Sequence, residues 1–449
     1  MLVATGVLLA PSALLHAASS SIVRLSDVRM EVATAAPSFA VCEEEIGMFP
    51  SKVPLQLEWF EKWGLTAPSA AGKTSKGPAA KTKPKKKGGK AGKGGKGGKA
   101  GGGAPKAAGG FGAAAGNKQL FCKAPTAELL TALRAVPPEG SDAGCSPDEL
   151  QQWGGAARRA IEEHIGGTGA VLLRGLPMRS AADFAHFWKG CLQERCPEPL
   201  VEGRYTSLGP AAGRDKVSGI DLATNVPPDF LLLNHNELCY NPQTVGRIGL
   251  YCVQDAPVGG ESTMARNRDL GTTHPPSVQA FVEEHGGVRY TRTFYDANNP
   301  PPPQVTTSAL GSWQGKCSLP DDAPREAAEA FFLEMGFQPS ELEWDDNGCI
   351  TVTNVHPGYV EDPESGDACW WNIVHTGSLT AADGTPFPPK LVAEAQRTAW
   401  EHTYAFKLRP GDWLMLDNMR VQHGRLPYVA SDEQKRQLLT VYSSPRPAF

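Results

Sequence analysis

The chain has 449 residues, 41% of them hydrophobic and 20% charged, with a formal net charge of −4. That length can bury a core without disulfide staples, and no apolar run reaches the ~18 residues that a membrane-spanning helix needs. The ten cysteines are scattered without CxxC spacing, which excludes a zinc ribbon, a thioredoxin-type dithiol and a disulfide-dense scaffold. Charge is unevenly placed. Twelve lysines and no acid fall within 72–106, so the remainder carries −16. An acidic body argues against nucleic acid as the main partner, because phosphates call for a positive surface.

The first 25 residues open with MLVATGVLLAPSALLHAASSS, apolar and uncharged until Arg24 and broken by Pro11. They read as a targeting segment, organellar or secretory, with small-residue cleavage near Ala17 or Ala18. Residues 26–71 form a short N-terminal region without an assigned role. Within it, LQLEWFEKWGL sets Leu57, Phe60 and Trp63 on neighbouring turns of one amphipathic helix. Residues 72–118 are Gly, Ala, Lys and Pro with almost nothing to bury, so disorder is expected. This segment reads as a solvated linker, and an anionic surface is the partner its lysine repeat would suit.

Folded structure is expected over 119–449. APTAELLTALRAV (124–136) and SPDELQQWGGAARRAIEEHI (146–165) predict helices, and Ser146 with Glu149 has capping-box spacing. GTGAVLLRGLP predicts a short buried strand, and SAADFAHFWKGCL predicts another helix. From about residue 228 the pattern becomes short β-runs: FLLLNH, GRIGLYCV, GVRYTRTFY, CITVTNV, YAFKLR, DWLMLD and QLLTVYS. Gly, Pro and Asp turns separate them, which favours a β-sandwich or barrel over a parallel α/β sheet.

His235-Asn236-Glu237 is the first chemical signal. A His and a carboxylate two apart on an extended segment point to the same side. They can supply two ligands of the 2-His-1-carboxylate triad that leaves open positions on Fe(II). One such triplet arises by chance in a chain of this composition, so the surroundings decide.

Those surroundings are HNELCYNPQTVGRIGLYCVQDAPVGGESTMARNRDL (235–270) and LRPGDWLMLDNMRVQHGRLPYVASDEQKRQLLTVYS (408–443). Both resemble the TauD/TfdA-like Fe(II)- and 2-oxoglutarate-dependent dioxygenases. GAVLLRGLP is similar to that family's entry strand, and SWQ (312–314) and WWN (370–372) match weaker signatures. HNE, GGES, WWN and DNMRVQHGR together look most like the branch with the syringomycin-biosynthesis-type hydroxylases. The resemblance spans about residues 119–449.

The resemblance implies a mainly β (α+β) fold, a double-stranded β-helix or jelly roll with flanking helices. It implies Fe(II) held by His235, Glu237 and His423, with His375 and His402 as competing third ligands. It implies 2-oxoglutarate as co-substrate, gripped by Arg436, with Arg425 as the lesser candidate, and helped by the hydroxyl of Ser262 or Thr263. A planar guanidinium suits a carboxylate because it donates two charge-assisted bonds. With O2, that chemistry yields succinate and CO2 and oxidises a substrate C–H bond. A carboxylate at Glu237 favours hydroxylation or desaturation over halogenation, and Thr440, where sulfonate-oxidising relatives carry Arg, removes support for a taurine-like substrate. Asn234, Asn236, Tyr240 and Asn372 are candidates for the substrate side, while Trp370 and Trp371 read as core. The expected substrate is a small or carrier-bound amino acid or carboxylate. The alternative is a catalytically silent jelly-roll binding protein, with the lysine tail attaching it to an anionic partner. The oligomeric state is not legible.

Overall fold

The computed structural model describes residues 36–62, 64–65, 120–137, 145–196, 200–201, 215–224, 226–301, 309–362, 365–377, 379–430 and 435–447. The expected targeting segment, the Lys-rich linker and Trp63 lie outside them.

The chain begins with strand β1 (Ser38–Val41), helix α1 (Glu43–Gly47), strand β2 (Lys52–Leu55) and helix α2 (Leu57–Lys62). Strands β3 (Leu120–Lys123) and β4 (Thr131–Val136) follow. Helix α3 (Pro147–Thr168) starts at a complete capping box: Ser146 Oγ accepts from the Glu149 N–H, and the Ser146 N–H donates to Glu149 Oε2 at 2.7 Å. It stops at Gly169, whose φ of 77° suits a residue without Cβ. Next come β5 (Ala170–Arg174), helix α4 (Ala181–Gln193) capped by Ser180, β6 (Leu200–Val201), β7 (Leu232–His235), β8 (Arg247–Gln254) and β9 (Ser262–Arg266). An excursion holds β10 (Val288–Tyr295), β11 (Ala309–Ser312), β12 (Leu342–Trp344) and β13 (Ile350–His356). The chain returns as β14 (Tyr404–Phe406), β15 (Trp413–Asp417), β16 (Val421–Arg425) and β17 (Gln437–Ser443).

Seven strands form one sheet in the order β1-β4-β5-β15-β8-β17-β6, and six form a second in the order β2-β3-β14-β9-β16-β7. Their inner faces share one core: Leu250, Leu414 and Leu438 from the first sheet, Met264, Phe406 and Val421 from the second. The outer face of the first sheet packs under α3 and α4, with Leu173, Trp413 and Leu439 against Trp153, Phe184 and Phe187. Two-sided burial explains why β5 reads as an unbroken apolar run: Ala170 and Leu172 face one core, Val171 and Leu173 the other. The result is a double-stranded β-helix, mainly β with helices outside, as expected. The excursion makes a third sheet, β11-β10-β13-β12, whose buried side chains join the inner core.

Two expectations are corrected. Residues 124–136 do not form a helix: Thr131–Val136 is a strand that pairs in parallel with β5, Thr131 opposite Val171 and Arg134 opposite Arg174. Ala, Leu and Glu gave the segment helical spacing, but a place in the sheet outweighs that weak propensity. Nor does the folded body begin near Gln119. Strand β1 pairs with β4 and β2 with β3, so the N-terminal region extends an edge of both sheets. The predicted helix there is α2, with Phe60 buried edge-on to Trp400 at 5.1 Å between centroids.

Candidate active site

His235 ends β7 and His423 sits in the middle of β16, and the two residues are register partners. Glycine at 424 permits this pairing. A Cβ there would stand 2.5 Å from the Leu232 carbonyl oxygen and 3.0 Å from the Asn234 nitrogen. The imidazole centroids are 4.5 Å apart. Glu237 Oε2 lies 3.6 Å from His235 Nε2 and 3.8 Å from His423 Nε2. Among the described residues, these three form the one group of metal-ligating side chains brought within 4.8 Å of one another. Two imidazoles and a carboxylate suit a divalent first-row metal and leave positions open.

The surroundings fix this geometry. His235 Nδ1–H donates to the Leu233 carbonyl at 2.9 Å, which leaves the Nε2 lone pair directed at the group. Glu237 follows on a sharp turn, with Leu238 at a φ of 57°. Asn418 clamps that turn: its Oδ1 accepts from the Glu237 N–H at 2.7 Å and its Nδ2 donates to the Glu237 carbonyl at 2.9 Å. Tyr442 OH donates to Glu237 Oε1 at 3.3 Å.

Strand β17 supplies Tyr442, with Leu438 and Thr440 on the same face, and Arg436 immediately precedes the strand. Arg436 Nη2 donates to Ser262 Oγ at 3.2 Å. Arg436 keeps some open surface although protein surrounds it, and that loss of water pushes its pKa down. Gly260 makes room for it: at a φ of 77°, a Cβ there would press to 3.1 Å from Arg436 Cδ. Of the two hydroxyls left open by sequence, Ser262 faces Arg436, whereas Thr263 Oγ1 donates to Asn234 Oδ1 at 2.6 Å.

The remaining sequence candidates lie elsewhere. Arg425 donates to the Val226, Pro227 and Phe230 carbonyls and stacks on Tyr428, so it ties down a loop. Its pKa is pushed down to about 10 by burial and by Arg436. His375 is buried, with Nε2 at 2.6 Å from the Asn234 carbonyl oxygen, and His402 ends the helix Pro389–Glu401. Neither joins the ligand group. Asn234 is bonded to Thr263 and Thr403, Asn236 to Asn418, and Asn372 to Gly358 and Val374, all as structural ties. Trp370 and Trp371 are fully buried core. Sequence reasoning did not single out Asn418 or Tyr442. The alternation along β17 is the signal that would have found Tyr442.

The profile of the taurine catabolism dioxygenase TauD, TfdA family matches residues 131–442. A clavaminate synthase-like protein of Arabidopsis thaliana is 28% identical over 280 residues, covering 58% of this chain and 78% of that protein. The dapdiamide synthesis protein DdaC of Enterobacter agglomerans is 22% identical over 339 residues, covering 69% of this chain and 90% of its own. A solved structure, AAD-2 in complex with Mn(II) and N-oxalylglycine, aligns with 73% of this chain and 98% of its own at a TM-score of 0.40 and 13% identity.

Proposed function

The chain belongs to the TauD/TfdA family of Fe(II)- and 2-oxoglutarate-dependent dioxygenases, and from that premise we propose that it hydroxylates a C–H bond of a small or carrier-bound amino acid or carboxylate. The observation that carries this reading is the convergence of His235, Glu237 and His423 beside the Arg436–Ser262 pair. The donor set fits Fe(II), and the three residues would hold it on one side, leaving the other side for co-substrate, O2 and substrate. Bound there, the metal with 2-oxoglutarate and O2 supplies oxidative decarboxylation to succinate and CO2 and the oxidation of the substrate.

The protein's own part is positional. His235 keeps its Nε2 lone pair directed inward through the bond from Nδ1. Tyr442 and Asn418 hold the Glu237 carboxylate and backbone. Arg436 offers a guanidinium, already relieved of water, to the distal carboxylate of 2-oxoglutarate, and Ser262 Oγ adds a hydroxyl beside it. A likeness to a protein named for dapdiamide synthesis supports a small biosynthetic substrate.

The test is turnover of the full chain with Fe(II), 2-oxoglutarate and oxygen-18 gas against amino acids, carrier-bound amino acids and small carboxylates. The proposal expects succinate release stimulated by a substrate, with one labelled oxygen in the product. A product that loses two hydrogens and gains no oxygen, or no stimulation by any of these classes, would contradict it.

A further inference from the structure

The third sheet is inserted between β9 and β14, two strands that are themselves hydrogen-bonded neighbours. It carries a cation that the proposed iron and co-substrate residues do not use. Val288, Tyr290 and Phe294 of β10 are buried against the body, and Arg292 alternates onto the same face. Its guanidinium carbon lies 3.6 Å from the centre of the Tyr240 ring, a seat that holds the planar group flat. Tyr240 follows Glu237 by three residues, so their Cα atoms are at most about 11 Å apart. Asn354 of β13 donates to the Tyr240 carbonyl at 3.3 Å, fastening the inserted sheet to the loop that bears Glu237. Arg292 is packed among protein atoms and retains some open surface. The same surroundings strip its water and push its pKa down, so an anion entering there meets a poorly hydrated cation.

Resting on the function proposed above, we propose that Arg292, seated on Tyr240, anchors a carboxylate of the primary substrate. It is a specificity-determining residue, separate from Arg436, which serves the co-substrate. The substrate is then a small acid whose carboxylate rests on Arg292 while a more distant carbon reaches the metal-ligating group. Neutral amines and amides of the same shape are poor ligands.

The experiment uses the full chain with Mn(II) and 2-oxoglutarate, which bind without turnover. Calorimetry and thermal shift compare the twenty L-amino acids, glutarate and adipate with their primary amides. At least one acid binds, and its amide binds at least tenfold more weakly. Arg292→Met weakens that acid at least tenfold, Arg292→Lys by less, and both variants bind 2-oxoglutarate within twofold of the parent. An amide that binds as well as its acid, a panel in which no acid binds, or Arg292→Met retaining the acid would each overturn the proposal. The amide comparison needs no variant, so a folding defect in Arg292→Met cannot mask the answer. Failure of 2-oxoglutarate to bind the parent protein would instead overturn the reading of the site.

Discussion

Glu237 is held by atoms from three parts of the chain before any ligand enters. Asn418 meets its backbone on both sides, Thr244 Oγ1 donates to its carbonyl at 2.8 Å, and Tyr442 donates to its carboxylate. These partners lie 181, 7 and 205 residues away in sequence, so no local pattern around HNE announces them, whereas the three side chains that converge were each picked out by residue type and motif. Outer partners of this kind typically change metal affinity by about 10- to 100-fold when removed. Tyr442→Phe is therefore expected to weaken Mn(II) binding about tenfold with little effect on fold, as read by calorimetry and circular dichroism; unchanged affinity would contradict the role. Arg436→Gln removes the charge that faces Ser262 and is expected to raise the dissociation constant for 2-oxoglutarate by roughly 30-fold, the equivalent of about 2 kcal/mol. Metal affinity without co-substrate should stay within about twofold.

At the scale of elements, strands that carry their own signal were readable. β8, β15 and β17 are apolar runs bounded by turn residues, and each forms where the pattern placed it. Residues 131–136 were not readable, because only the pairing of β4 with β5 makes them a strand. The N-terminal elements were misjudged for a related reason: what joins them to the body is distant in sequence. Glu45 is buried and receives Arg174 Nη1 at 2.8 Å as well as Arg134, while Arg174 also donates to Asp412 at 3.1 Å. This clip ties α1 to β4, β5 and the turn before β15. Removing Glu45 leaves Arg174 with Asp412 alone and takes away a charge-assisted bond, which typically costs about 2 kcal/mol. Glu45→Ala is expected to lower the urea midpoint accordingly. A stability change below about 0.5 kcal/mol, the range of an ordinary surface substitution, would show that the clip contributes nothing.

At the scale of the molecule, the inner core and its polar inclusions set the response to acid. Burial pushes the pKa of His274 down to about 3 and that of His356 down to about 4. His274 packs edge-on against Trp370 at 4.2 Å, and His356 Nε2 accepts from Asn354 Nδ2 at 2.9 Å, a bond that needs the neutral ring. Below the ordinary value of about 6.5 the unfolded chain takes up protons on both residues and the folded one does not. Stability should therefore fall as pH drops from about 6.5 to 4, by up to about 1.4 kcal/mol per pH unit for each histidine. Urea denaturation at steps of pH checks this, and His356→Gln should flatten the slope; an unchanged slope would contradict it. No described helix is long and apolar enough to cross a membrane.

The central claim is that His235, Glu237 and His423 together hold one Fe(II) that 2-oxoglutarate completes. The most direct measurement is an anaerobic titration of the full chain with Fe(II) and 2-oxoglutarate, following the weak visible charge-transfer band of the chelate, with His423→Ala alongside. A band that requires both additions, saturates at one iron per chain and is absent from the folded variant is the predicted result. No band from folded, iron-loaded protein, or an undiminished band in His423→Ala, would contradict the claim.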